Sequence, residues 1–154
     1  MNTLLTNMKT ALLGDSTLGA YLDDAIEIGQ WNPEALPDFD KYCVVLSPVP
    51  GVEEKPAGVL GIEKTFNVDI VCLVRNYGLP AALTGTTAPD GVGVIKLAED
   101  VRNCLRENSL SSYVIADSMA VSAASMIDRA IDQSEHVLKT EFGYLARRRV
   151  QIHN

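Results

Sequence analysis

Residues 64–76, KTFNVDIVCLVRN, decide the fold, because their side chains alternate between two faces as those of a β-strand do. One of these faces is apolar from end to end and carries Phe66, Val68, Ile70, Cys72 and Val74. The opposite face is polar in its first half and apolar in its second half. The pattern therefore predicts a strand that is covered on one side along its length and on both sides at one end.

A second alternating run, HVLKTEFGYLARRRVQI, occupies residues 136–152. Its apolar face carries Leu138, Thr140, Phe142, Tyr144, Ala146, Val150 and Ile152. At about 3.3 Å per residue, about fifteen residues span roughly 50 Å. This strand is therefore predicted either to bend or to project beyond its own sheet.

Three consecutive arginines interrupt the second run. Arg147 and Arg149 belong to its polar face, whereas Arg148 falls on the apolar one. We expect Arg148 either to lie at a β-bulge, which would shift the register, or to be buried against a carboxylate.

The remaining periodicities predict two main helices and further strands. Amphipathic helices are expected over residues 3–13 and 93–108, with Ile95, Ala98, Val101 and Leu105 on the apolar stripe of the second one. A short helix capped by Asp15 or Ser16 is expected to follow Gly14. Residues 41–49 form a further predicted strand, and strands are expected from residue 111 onwards.

The connections are predicted from proline, glycine and polar residues. Residues 25–40 form a long irregular connection in which Trp31 anchors the chain on the core. Residues 51–63 form a polar turn region, and residues 77–93 form a mobile loop. Together these elements predict an α+β fold, with a mixed or mainly antiparallel sheet of about four to five strands and two main helices packed on it.

Composition limits the classes of protein to consider. The chain has 154 residues, 47% of them hydrophobic, which predicts one domain over residues 1–154. No apolar run approaches the roughly 18 residues of a membrane span, and the first residues lack the pattern of a signal peptide. The odd, scattered cysteines Cys43, Cys72 and Cys104 indicate free thiols, so we expect a cytoplasmic protein without contact to a membrane.

The arginine triplet is an exception in an acidic chain. The net charge is −7, and residues 1–146 hold all 20 acidic residues against 10 of the 13 lysines and arginines. Nucleic-acid binding is one interpretation, but the nearby Phe142 and Tyr144 lie on the opposite face from Arg147 and Arg149. The parity favours a cationic outer strand face, and a contact with an acidic surface, including another copy of the chain, is the next interpretation.

No pattern of catalytic or ligand-binding residues is found. His136 and His153 are far in sequence from the cysteines, so no closely spaced pair of metal ligands exists. The glycines at 85, 91 and 93 lack the lysine of a phosphate-binding loop. The acid pairs at 23–24 and 53–54 are typical of solvated surface. We expect no enzymatic activity, no cofactor and no metal.

The order of elements resembles that of the tail terminator, or tail completion, proteins of long-tailed bacteriophages, and more broadly the small joining proteins of the phage neck. The segments that carry this resemblance span nearly the whole chain: NMKTALLGDSTLGAYL, YCVVLSPVPG, KTFNVDIVCLVRN, GVIKLAEDVRNCLREN and EHVLKTEFGYLARRRVQI. The resemblance implies an α+β subunit in a homo-oligomeric ring, usually a hexamer, that caps the tail tube and receives the head connector.

This family implies several partners and a location. The ring would contact the tail tube protein and a head completion or connector protein, and genomic DNA would pass through its lumen without sequence recognition. The protein would be part of the virion and would assemble in the host cytoplasm. Arg147, Arg148 and Arg149 are the candidate interface residues, on the evidence of the charge pattern alone.

Two alternatives stay open at this point. The chain could be a different neck component, such as a head completion or connector adaptor protein. A small α+β ligand-binding or enzymatic domain is the alternative from another class, and it would require a pocket with convergent polar groups.

Overall fold

The computed structural model describes residues 1–76, 78–87, 91–106, 108–115, 120–121, 125–130 and 136–152. Within these residues the helices are α1 (Asn2–Gly14), α2 (Leu79–Thr84) and α3 (Val94–Leu105). The strands are β1 (Ile26–Ile28), β2 (Tyr42–Pro48), β3 (Glu53–Pro56), β4 (Gly61–Asn76), β5 (Ala120–Val121), β6 (Ser125–Ala130) and β7 (His136–Gln151). The fold is α+β with a mixed sheet, as the sequence predicted.

The sheet is built around β4 and β7. Its five-strand path runs β1-β2-β4-β7-β5, and β3 and β6 lie beside β4 and β7 respectively. β1 runs parallel to β2, whereas the other described pairs are antiparallel. β4 and β7 pair without interruption from Gly61 opposite Gln151 to Asn76 opposite His136. This continuous register rules out the β-bulge that we considered for Arg148.

One face of the sheet, here called the helical face, packs against the three helices. The residues predicted for the apolar side of β4 are all buried in the main core, together with Leu4, Leu5, Met8 and Leu12 of α1. Burying a leucine or methionine side chain stabilises the fold by about 1.5–3 kcal/mol, so the apolar stripe of α1 holds this helix on the sheet.

The opposite face, here called the second face, is covered over one half only. Phe39, Trp31 and Leu36 from the connection before β2 pack there against Cys43, Val45, Val71, Leu73 and Val137. The prediction that one end of β4 is covered on both sides is therefore confirmed, and Trp31 contacts this second cluster as expected.

Several predicted elements differ from the structure. Residues 16–21 form turns and not a helix: Asp15 Oδ1 accepts hydrogen bonds from the backbone N–H groups of Thr17 and Leu18, at 2.9 and 3.0 Å, but the segment does not continue as a helix. The connection of residues 25–40 begins with the short strand β1, whose main chain pairs with β2.

Two regions predicted as turn or loop contain regular structure. The strand β3 lies within residues 51–63 and is exposed along its length, so it lacks the apolar alternation by which strands are recognised. The helix α2 lies within residues 77–93, of which 77 and 88–90 are outside the described residues. Residues 113–115, predicted as strand, form the end of a turn, a bend and irregular backbone, and residues 116–117 of the same run are outside the described residues.

The apolar stripe of α3 is rotated relative to the prediction. Val94 and Leu97 are buried together with Ala98, Val101 and Leu105, whereas Ile95 is 46% exposed. The helix begins immediately after Gly93, where the chain passes close to α2, and this places Val94 and not Ile95 against the core. The helix ends before Asn108, whose Nδ2 donates a hydrogen bond to the Cys104 carbonyl oxygen.

Candidate interface at the arginine end of the sheet

The three arginines lie at the end of the sheet where β4 begins and β7 finishes. We call this region the arginine end and define it as Gly61–Phe66 of β4, Ala146–Gln151 of β7 and the adjacent β3. Strand parity holds there, so the neighbouring arginines point to opposite faces of the sheet. The sequence prediction that Arg148 separates from Arg147 and Arg149 is confirmed.

On the second face, the carboxylate of Glu63 contacts two of the arginines. Its Oε1 accepts a hydrogen bond from Arg147 Nη1 at 3.2 Å, and its Oε2 lies 3.8 Å from Arg149 Nε. The side chain of Glu63 is largely buried between them, at 17% exposure, while both arginines are exposed. This cluster is therefore the cationic outer strand face that the alternation predicted.

On the helical face, Arg148 stacks on an aromatic ring. Its guanidinium carbon lies 3.9 Å from the centre of the Tyr113 ring, a close cation–π contact. Tyr113 also packs against Phe66 of β4, with ring centres 6.5 Å apart. Sequence reasoning did not find this partner, because Tyr113 and Arg148 are distant along the chain and no local pattern links them.

The segment that carries Tyr113 is held firmly against the fold. The Ile115 N–H donates a hydrogen bond to the Arg147 carbonyl oxygen at 2.8 Å, and Asn7 Nδ2 donates one to the Leu110 carbonyl oxygen at 3.2 Å. Leu110, Ser111 and Ser112 have positive φ values of 49°, 60° and 63°. Such backbone costs residues other than glycine about 1–2 kcal/mol each, so the rest of the structure must stabilise the position of Tyr113.

A row of charged residues crosses the helical face beside this stack. Glu54 of β3 stands opposite Lys64 of β4, which in turn stands opposite Arg148 of β7. Lys64 Nζ forms an ion pair with Glu54 Oε1 at 2.6 Å. None of the carboxylates in the described part of the chain forms an ion pair with Arg148, so the predicted burial against a carboxylate is not found within that part.

A cleft of about 410 Å³ opens over this row. Its walls include Glu54, Lys64, Phe66, Tyr113, Arg148 and Val150. It combines two cations, one anion and two aromatic rings, which suits a ligand that has a negative group attached to an apolar body.

A second cleft, of about 480 Å³, lies at the other end of the sheet, where β1 and β2 begin. It is lined by residues 20–25, Glu27 and residues 38–43, which include the acidic residues Asp23, Asp24, Glu27, Asp38 and Asp40. Asp24, which is exposed, forms an ion pair with Lys9 at 3.4 Å, and Lys41 is the only cation among the described residues of the lining. We call this region the acidic end.

The three cysteines are free, and Cys43 and Cys72 are buried. Burial raises the pKa of Cys43 to about 12, with Glu27 contributing, and raises that of Cys104 to about 11, with Asp15 contributing. The pKa of Cys72 is also raised, chiefly by its burial. His136 begins β7, and His153 is outside the described residues. Over the described ranges no three His, Cys, Asp or Glu residues are arranged to hold a metal ion.

The acid pairs found in the sequence lie on exposed strand and turn positions. Asp23 and Asp24 precede β1 at the acidic end, and Glu53 and Glu54 lie on β3. Glu54 is engaged by Lys64, and Glu53 lies 3.9 Å from Lys55. In the described chain, no helix has the length and apolar character required to cross a membrane.

No family model matches the chain, and no curated protein is significantly similar to it.

Proposed function

We propose that this protein is a structural component of the bacteriophage neck, a ring-forming tail terminator that caps the tail tube and joins it to the head connector. The proposal starts from the order of elements and rests on one structural observation. Exposed apolar residues lie directly beside the arginine end, where the long pair formed by β4 and β7 ends.

The apolar residues are concentrated around the turn between β3 and β4. Val59 is 99% exposed and Leu60 is 59% exposed, and Ile152, whose N–H donates to the Leu60 carbonyl oxygen, is 46% exposed. Large apolar side chains grouped on an exposed surface are typical of surfaces that contact another protein. A surface of this kind supports docking to a tube end, a connector or a neighbouring subunit.

The acidic character of the chain supports the passage of DNA through a ring. With a net charge of −7, a lumen lined by this protein would repel phosphate and allow the duplex to slide without binding. The cations that stand out, Arg147 and Arg149, are paired with Glu63. In the proposed ring they lie at a subunit or neck interface and not in the lumen.

The oligomeric state tests the proposal most directly. Six copies of a 16.7 kDa chain give a particle of about 100 kDa, which native mass spectrometry and analytical ultracentrifugation would detect. We expect ring-shaped particles by electron microscopy and the same ring at the neck of virions. A monomer at all concentrations, together with absence from purified virions, would overturn the proposal. Copy number and position in the particle would distinguish a tail terminator from a head completion or connector adaptor protein.

A further inference from the structure

The cleft over Arg148 contains a cation whose donors are available. Lys64 and Arg148 face each other across β4 and β7, and like charges in such opposite positions destabilise a sheet unless an anion lies near them. Glu54 neutralises Lys64 through an ion pair at 2.6 Å. The cleft therefore has an unbalanced positive charge within the described part of the chain.

The contact with Tyr113 orients the guanidinium group of Arg148. The guanidinium carbon of Arg148 lies over the Tyr113 ring, and its N–H groups form no hydrogen bond or ion pair within the described part of the chain. These donors match a carboxylate in a two-pronged hydrogen bond. Because Tyr113 is held by a strained turn and by the Ile115 hydrogen bond, the arginine is oriented before any partner arrives.

The acidic end and the Arg148 cleft lie beside opposite halves of β4. Val74 of β4 stands opposite Tyr42 in the wall of the acidic cleft, and Lys64 of β4 lies in the wall of the other cleft. Ten residues separate Lys64 from Val74, which corresponds to roughly 33 Å of strand. The molecule thus has surfaces of opposite charge at its two ends.

We propose that the Arg148 cleft binds the acidic end of a second copy of this chain, with the exposed carboxylates of Asp38 and Asp40 as its ligands, since Asp24 already pairs with Lys9. A contact between two different surfaces of identical subunits is heterologous, and such contacts repeat from subunit to subunit and form a ring when the rotation between neighbours closes. The proposal rests on the ring proposed above and assigns the contact that builds it. It also assigns the negative group that Arg148 requires.

Charge reversal with mixing tests this contact. The variant Arg148→Glu and the double variant Asp38→Lys/Asp40→Lys should each associate at least about 30-fold more weakly than the native chain, because each places like charges together. An equimolar mixture of the two variants should assemble again in alternation, because each contact then joins opposite charges. Association is measured by sedimentation velocity, and folding of each variant by circular dichroism.

Two further variants keep the test decisive. Arg106→Glu makes the same change in charge at an exposed position after α3, and its association should match that of the native chain. Arg148→Gln removes the charge with less effect on folding, and it should weaken association in the same direction.

The outcomes separate the two proposals. If the native chain forms a ring and Arg148→Glu forms the same ring with equal affinity, the Arg148 contact is wrong while the neck function stands. If both charge-reversal variants dissociate but their mixture does not assemble, the acidic end is not the surface that binds the Arg148 cleft. A native chain that stays monomeric and is absent from virions contradicts the proposed function itself.

Discussion

Asp69 is a charged side chain placed at a position that disfavours its charge. It lies on the second face, opposite Gly143 in the register, and burial together with the nearby Glu141 carboxylate raises its pKa above the ordinary value of an aspartate. Glu141 itself forms an ion pair with Lys139 at 2.7 Å. The ionised form of Asp69 is therefore a local cost to folding.

The variant Asp69→Asn should be more stable than the native chain at pH 7. A raised pKa means that the folded state binds the proton more tightly than the unfolded state, so the stabilisation by protonation is lost as pH rises through the raised pKa. Asparagine stays uncharged, and it should raise the free energy of unfolding by ~0.5 kcal/mol or less, since the site is partly exposed.

The pH dependence of this difference is the informative measurement. Urea unfolding at several pH values should show the gain shrinking as the pH falls through the raised pKa of Asp69 and vanishing below about 3.9, the ordinary pKa of aspartate. A gain of the same size at pH 3 and pH 7 would show that the substitution acts through packing and not through charge.

At the scale of elements, the crossing between α2 and α3 depends on two glycines. Gly85 has a φ of +85°, and a Cβ atom there would collide with the Gly91 carbonyl oxygen. A Cβ atom on Gly93 would collide with the Gly85 nitrogen and the Leu83 carbonyl oxygen. The Tyr42 hydroxyl accepts a hydrogen bond from the Val92 N–H at 2.9 Å and holds the same crossing against β2.

The substitution Gly85→Ala should therefore destabilise the protein. Both the positive φ and the collision oppose a side chain, so we expect a loss of about 1–3 kcal/mol in thermal or urea unfolding. Gly14→Ala is the matched control: no atom lies within 4 Å of its Cβ position, and it ends α1. There the change should be neutral or stabilising by up to about 1 kcal/mol. Equal effects of the two substitutions would mean that the close crossing is absent in solution.

Most of the elements that the sequence predicted correctly have buried residues that recur at the spacing of a helix or a strand. β4, α1 and α3 each bury a regular set of apolar residues, so their existence could be derived from spacing, whereas β2 is buried on both faces and is predicted by its β-branched composition. The sequence pattern did not predict β3 or α2, and the physical reason differs between the two. β3 is held by main-chain pairing to β4 although its side chains are exposed, and α2 is a six-residue helix in a glycine-rich stretch.

The candidate site, like the fold, could be predicted from the sequence only in part. Strand parity was enough to place Arg147 and Arg149 on one face and Arg148 on the other. The partners of these arginines could not be predicted, because Glu63, Lys64 and Tyr113 are brought near by the register of β4 and by the turn before Tyr113. Long-range pairing of this kind leaves no local signal in a single sequence.

At the scale of the whole molecule, charge is separated along the sheet. Acidic residues line the cleft beside β1 and β2, whereas lysine and arginine concentrate at the arginine end. The chain as a whole carries a net charge of −7, which opposes binding to any polyanion.

We therefore expect little affinity for duplex DNA. Proteins that bind DNA without sequence preference do so with Kd of about 10⁻⁴–10⁻⁶ M at physiological salt, and this chain should bind more weakly than ~10⁻⁴ M. Fluorescence anisotropy with a labelled duplex measures the affinity. Micromolar binding that is lost in Arg147→Gln/Arg149→Gln would restore the nucleic-acid interpretation of the triplet.

The unbroken pairing of β4 with β7 also has a mechanical consequence. The hydrogen bonds of an antiparallel ladder lie perpendicular to the strands. A pull that slides β4 along β7 must therefore strain the bonds of all the residue pairs from Gly61–Gln151 to Asn76–His136 together, whereas a pull that peels the strands apart breaks them one after another. The subunit is consequently most resistant to force along the long axis of its sheet, the line that joins its two charged ends.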